Sequence, residues 1–279
     1  MCDKNSEKVA WSGAPKAGTR IVLTINGVEY AFRYCPAGTF KMGSPESEKG
    51  RDVDETLREV TITRGYWILE TPVTQKMYEA ATGENPSAFS ATGECADKVA
   101  GLDTSDFPVE SVSWFDANAF CEKLNELNVV PAEFAEFAFR LPTEAEWENA
   151  CRAGTETPYP WGATLNGVEA NCNGSLPYGD VEPGPYLARP SAVRSYKPNA
   201  LGIYDACGNV WEWCDDRYGA YDAASLEDPT GPTTGDERVM RGPGWCSPAE
   251  NCRAAKRCNE NPENRYFFSG FRVVLADKR

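Results

Sequence analysis

Apolar residues alternate with polar ones through RIVLTINGVEYAFRYCPAG, residues 20–38, and the alternation is broken once, at Asn26-Gly27. Two half-buried strands joined by Asn-Gly form the strongest short-range hairpin signal, so the folded part is expected to begin near Thr19. Further on the period changes from two to about 3.6. In SWFDANAFCEKLNEL, Ser113 and Asp116 fit a capping pattern, and Ala117, Phe120, Cys121, Leu124 and Leu127 recur at helical spacing. In PTEAEWENACRAG, Thr143 and Glu146 form a capping box, Ala145, Trp147 and Ala150 turn inward, and Gly154 ends the helix. Thr74 to Thr82 gives a weaker third helix. Glu46 to Glu55 is polar and of mixed sign, and is expected to be a solvated excursion. Between Gly154 and Pro232 the chain is dense in Gly, Pro, Asn and Tyr, which predicts long ordered loops. GFRVVLA predicts a final buried strand.

Composition narrows the chemistry. The 279 residues include no histidine, which removes Ser/His/Asp and Cys/His catalysis and histidine metal sites together. The formal net charge of -14 repels phosphate backbones, so nucleic acid is not an expected partner. No apolar run approaches the length of a membrane span. Eleven cysteines are scattered without a CxxC pair, and most are expected to be buried small hydrophobes. Met1-Cys2 precedes a polar tether reaching Gly18. Such a cysteine is what remains when a bacterial lipoprotein signal is replaced by a start codon, which implies a lipid anchor at Cys2 and display at the cell surface. If Met1 is native, the chain is cytoplasmic.

Seven runs carry a family likeness: GTFKMGS (38–44), FPVESVSWFDANAFC (107–121), RLPTEAEWE (140–148), PYPWG (158–162), LGIYDACGNVWEW (201–213), RVMRGPGW (238–245) and GFRVV (270–274). In this order they resemble the formylglycine-generating enzyme and sulfatase-modifying-factor family, over about residues 30 to 275. The resemblance implies a single α+β domain of C-type lectin fold at 19–279, with long ordered loops, behind a tether at 1–18. Oxidising members of the family use a Cys-x4-Cys pair that holds copper. Here RGPGWCSPAENC puts five residues between Cys246 and Cys252; if Cys252 takes the second place, Ser247 takes the first, and a hydroxyl is a poor Cu(I) ligand. No copper is expected. The alternative, a copper-dependent oxidase making formylglycine from a cysteine of sulfatase-like peptides, needs a one-residue bulge to restore the pair.

The C-terminus is more similar to the variable proteins of diversity-generating retroelements. The frame GW (244–245), NCRAAKR (251–257), NPENR (261–265) and GFR (270–272) is kept. The resemblance implies a ligand-binding segment at 242–270 whose contacts come from Cys246, Ser247, Pro248, Cys258, Glu260, Tyr266, Phe267 and Phe268, with Lys256 fixed and Trp245 as scaffold. Tyr266, Phe267 and Phe268 are consecutive, and neighbouring residues cannot all point into one core, so at least one ring faces solvent. The implied function is a non-catalytic receptor or adhesin for an unknown protein or other surface ligand. The family likeness also implies a calcium ion held by Asp205, Gly208, Val210 and Glu212, hard oxygen donors of the kind Ca2+ takes, and a second site beginning at Asn171. For Glu212 a buried carboxylate bonded to loop amides remains open as the other reading.

Overall fold

Asn26 and Gly27 both have positive φ, 49° and 81°, the left-handed geometry that lets a two-residue turn follow strand twist. They join β1 (Arg20–Ile25) to β2 (Val28–Cys35), antiparallel with Ile25 opposite Val28. The computed structural model describes residues 14–130, 132–224 and 226–278. Residues 1–13, Cys2 among them, lie outside the described residues, so the lipid-anchor expectation has no structural counterpart.

β2 continues into a five-stranded sheet of order β1-β2-β5-β11-β6, with β5 at Tyr66–Leu69, β6 at Phe137–Arg140 and β11 at Val274–Asp277. All four residues of β5 are buried. The period of two explains how: Trp67 and Leu69 join one apolar cluster with Phe32, Phe139 and Leu275, while Tyr66 and Ile68 join another with Cys35, Val274 and Ala276. The sheet is therefore covered on both faces.

On the first face lie α1 (Gln75–Thr82) and α2 (Trp114–Glu126). Thr74 caps α1 by accepting from the Met77 amide, and Ser113 with Asp116 forms the expected capping box of α2. Ala117, Phe120, Cys121 and Leu124 are buried, Leu127 closes the helix partly buried, and Phe120 stacks on Tyr78 at 5.4 Å. The second face takes α3 (Glu144–Arg152), capped by Thr143 and Glu146. Its left-handed C-cap is Ala153, followed by Gly154 with φ of 89°.

The remaining strands are β3 (Gly38–Met42) paired with β4 (Arg58–Ile62), and a four-stranded sheet of order β10-β7-β8-β9. In it β7 is Trp211–Arg217, β8 Arg238–Arg241, β9 Cys258–Glu260 and β10 Ser269–Phe271. The loop-rich reading of 154–232 needs one correction, because β7 lies inside it. The final run is divided in two: β10 pairs parallel to β7, and β11 crosses to the five-stranded sheet. Among the described residues no helix is long and apolar enough to cross a membrane.

Candidate functional site

The frame of the C-terminal segment is made of buried guanidinium groups. Arg241 is fully buried and donates to Glu144 at 2.7 Å and to Glu148, both on α3. Arg257 grips Glu144 from the other side at 2.6 and 2.9 Å. Arg253 makes a bidentate pair with Glu55, 2.7 and 2.8 Å, and reaches Glu48 at 2.7 Å. Lys256 pairs with Asp52. The stretch 46–55 is exposed or half-buried, as a solvated excursion should be, up to its last residue: Glu55 is 0% exposed, accepts a bond from Ser44 Oγ at 2.7 Å, and anchors the C-terminal segment. Burial alone would raise the Glu55 pKa, yet the Arg253 hydrogen bonds and charge hold it below the ordinary value.

On this base the backbone of the contact segment is pinned by long-range bonds. The Trp245 amide donates to Asn209 O at 2.9 Å, and the Asn173 amide to Ser247 O at 2.9 Å. Tyr266 O accepts from Ser111 N at 3.0 Å, Phe267 O from Trp245 Nε1 at 3.4 Å, and Phe268 O from Trp211 N at 2.8 Å. Phe267 is 44% exposed. Tyr266 and Phe268 stack face to face, 5.0 Å apart and within 5°, with Phe267 edge-on to Phe268 at 5.4 Å. Glu260 beside them accepts from the Asn264 side chain at 2.8 Å, and half-buried Cys258 backs onto the core. These residues form one continuous face. Ser247 does not join it: the residue is buried with its amide bonded to Gly244 O, leaving half-buried Pro248 as the more accessible neighbour. Half-buried Cys246 packs among Phe89, Phe107 and Trp245.

Two aromatics outside the C-terminal segment support the face without a signal in the sequence: exposed Tyr186, and Phe89, which is buried beneath it. Phe89 meets Trp245 edge-on at 5.5 Å and Phe267 at 6.2 Å, and Tyr186 stacks on Trp245 at 6.4 Å. Trp245, 7% exposed, is the hub that joins them, in keeping with its expected scaffold place. No periodic signal marks Phe89 or Tyr186; both are single aromatics in turn-rich sequence. Beneath Phe89 lies Glu110, fully buried, which accepts the Phe89 amide and Ser111 Oγ, each at 2.7 Å. Burial pushes its carboxyl up to about 7 against those bonds.

Of the oxygens expected to hold calcium, those of Glu212 are already engaged. Arg272 takes both oxygens of Glu212 at 2.6 Å, and Trp147 Nε1 donates to the same carboxylate at 2.7 Å. The buried-carboxylate reading of Glu212 is therefore the better one, with a guanidinium and an indole as partners rather than loop amides. Gly208 O accepts from the Val210 amide at 3.1 Å and Asp205 from the Arg194 amide at 3.0 Å. Burial lifts Asp205 to about 6. Asn171 stands apart: its Oδ1 is buried without a hydrogen-bond partner, while its amide nitrogen bonds Arg189 O and Asn209 Oδ1, each at 3.1 Å.

Seven of the ten described cysteines are buried. Cys252 is one, packed with the α3 cluster, whereas Cys246 belongs to the Phe89 cluster. The adjoining Cys172 thiol and burial push Cys252 well above the ordinary range, and burial raises Cys246. Both shifts oppose the thiolate that a copper ligand must be.

Residues 31–277 match the sulfatase-modifying factor enzyme 1-like domain. The chain belongs to this family. Among curated members of the sulfatase-modifying factor family it is 36% identical over 177 residues to the formylglycine-generating enzyme of Streptomyces coelicolor, a match covering 60% of this chain and 52% of that protein. The chain thus spans about half the length of that relative. It is 29% identical to the inactive C-alpha-formylglycine-generating enzyme 2 of Bos taurus, over 91% of both chains. Among solved structures, variable protein 1 of Treponema denticola superposes with a TM-score of 0.75 at 27% identity, covering 92% of this chain and 99% of that one. PvdO of Pseudomonas aeruginosa gives 0.75 at 26%, covering 94% and 100%. The C-type lectin fold of the family is therefore the fold of this chain.

Proposed function

We propose that this family member is a non-catalytic receptor or adhesin whose C-terminal face binds a protein or other surface ligand, displayed outside a bacterial cell. The observation that carries the reading is the exposed ring of Phe267 seated on rigid neighbours, Trp245, Phe268 and Phe89. Aromatic area held in place before binding gives affinity with little ordering cost. The likeness to a variable protein supports it, as do the raised thiols of Cys246 and Cys252. The test has two arms. Peptides selected on the full chain from a displayed library are expected to lose binding to Phe267→Ser and keep it to a surface variant away from the face, such as Val53→Ser. Copper(I)-loaded protein is expected to leave a sulfatase-type peptide cysteine unoxidised; turnover that disappears in Cys252→Ser would overturn the reading in favour of the oxidase.

A further inference from the structure

Away from the C-terminal face a cleft of about 670 Å³ opens between Trp161 and Tyr196, walled also by Glu169 and Lys197. A narrower extension runs past Glu169 to Asp205. Neither the binding face nor the buried ion pairs use Trp161, Glu169 or Tyr196. Trp161 is 39% exposed, and its ring lies parallel to that of buried Tyr159, with centroids 5.3 Å apart and planes within 6°. Its Nε1 donates to Thr164 O at 2.9 Å. One indole face is covered, and the opposite face is left to the cleft in an orientation fixed before any ligand arrives. On the adjoining wall Glu169 Oε2 is buried and has no hydrogen-bond partner. The side chain as a whole is half-buried and lines the cleft, so its carboxylate presents an acceptor edge to a ligand there.

An exposed indole face attracts cations through its quadrupole, and a carboxylate on the adjoining wall favours those that carry N–H. Lys197 is exposed and lines the same cleft. We propose that this cleft binds a primary alkylammonium group, such as ends a lysine side chain, with the cation against the outer face of Trp161 and one N–H donated to the Glu169 carboxylate where it borders the cleft.

The probe is Nα-acetyl-lysine methylamide, titrated onto the full chain and followed by saturation-transfer NMR. Saturable binding is expected, weakened about fivefold or more by Nε-acetylation of the probe, which removes the charge, and by Trp161→Ala. Glu169→Ala, which removes both acceptor and charge, is expected to weaken the lysine probe by more than its Nε-trimethyl form, which keeps the cation and has no N–H to lose. Unfolding curves of both variants confirm that they fold, and Trp161→Phe, which retains a ring, is expected to bind better than Trp161→Ala. Absence of saturable binding, equal binding of charged and acetylated probes, or binding indifferent to both folded variants would overturn the assignment.

Discussion

Glu110 joins the aromatic face to solution pH, and replacing it by glutamine isolates that link. The carboxyl is fully buried under Phe89, and its pKa rises from the ordinary 4.5 to about 7. An acid raised in this way binds its proton more tightly folded than unfolded. Its stabilising share is complete below 4.5 and is lost as pH rises through about 7. A displacement of that size corresponds to roughly 3 kcal/mol, from about 1.4 kcal/mol per pH decade. Glutamine keeps an acceptor for the Phe89 amide and carries no charge. Urea unfolding of wild type and Glu110→Gln at pH 5, 6, 7 and 8 is therefore expected to give a difference that moves by about 2–3 kcal/mol in favour of the variant as pH climbs. Asp205 and Asp216, which burial also raises, cancel in the comparison because both proteins retain them. A difference independent of pH would refute the reasoning, and would mean that water reaches the carboxylate.

Arg253→Met strands Glu55 without its partner and is expected to cost about 3–5 kcal/mol, whereas Arg253→Met combined with Glu55→Gln recovers a large part of the loss in a double-mutant cycle. Phe267→Ser, at a residue 44% exposed, is expected to change stability by less than about 1 kcal/mol while removing binding, which separates recognition from folding in one thermal melt and one titration. Gly27→Ala meets nothing within 4 Å, so its expected loss of about 1 kcal/mol, read from urea unfolding, comes from the positive φ alone.

Local signals in the sequence identify the local structure: Asn26-Gly27 forms its turn, and Thr74, Ser113 and Thr143 cap their helices because each bond they make spans three residues. The contact segment is legible for the same reason, since three adjacent rings cannot share one side. Glu55 escapes such reading. Its partner Arg253 is 198 residues away, and a polar residue beside other charges looks solvated until the chain closes over it. β7 is hidden for another reason: WEWCDDR is covered on most sides and shows no alternation of burial. Ser247 is buried where its carbonyl pairs with the distant Asn173 amide, Tyr186 reaches the face through the ring of Trp245, and Phe89 meets both Trp245 and Phe267 from below.

The three successive carbonyls of residues 266–268 are each fastened by a donor from a different part of the molecule, Ser111, Trp245 and Trp211. Such fastening is blind to what the first two positions carry beyond Cβ. The shape of this loop is thus set from outside it, and a change of ring at either position leaves the backbone with the same three attachments.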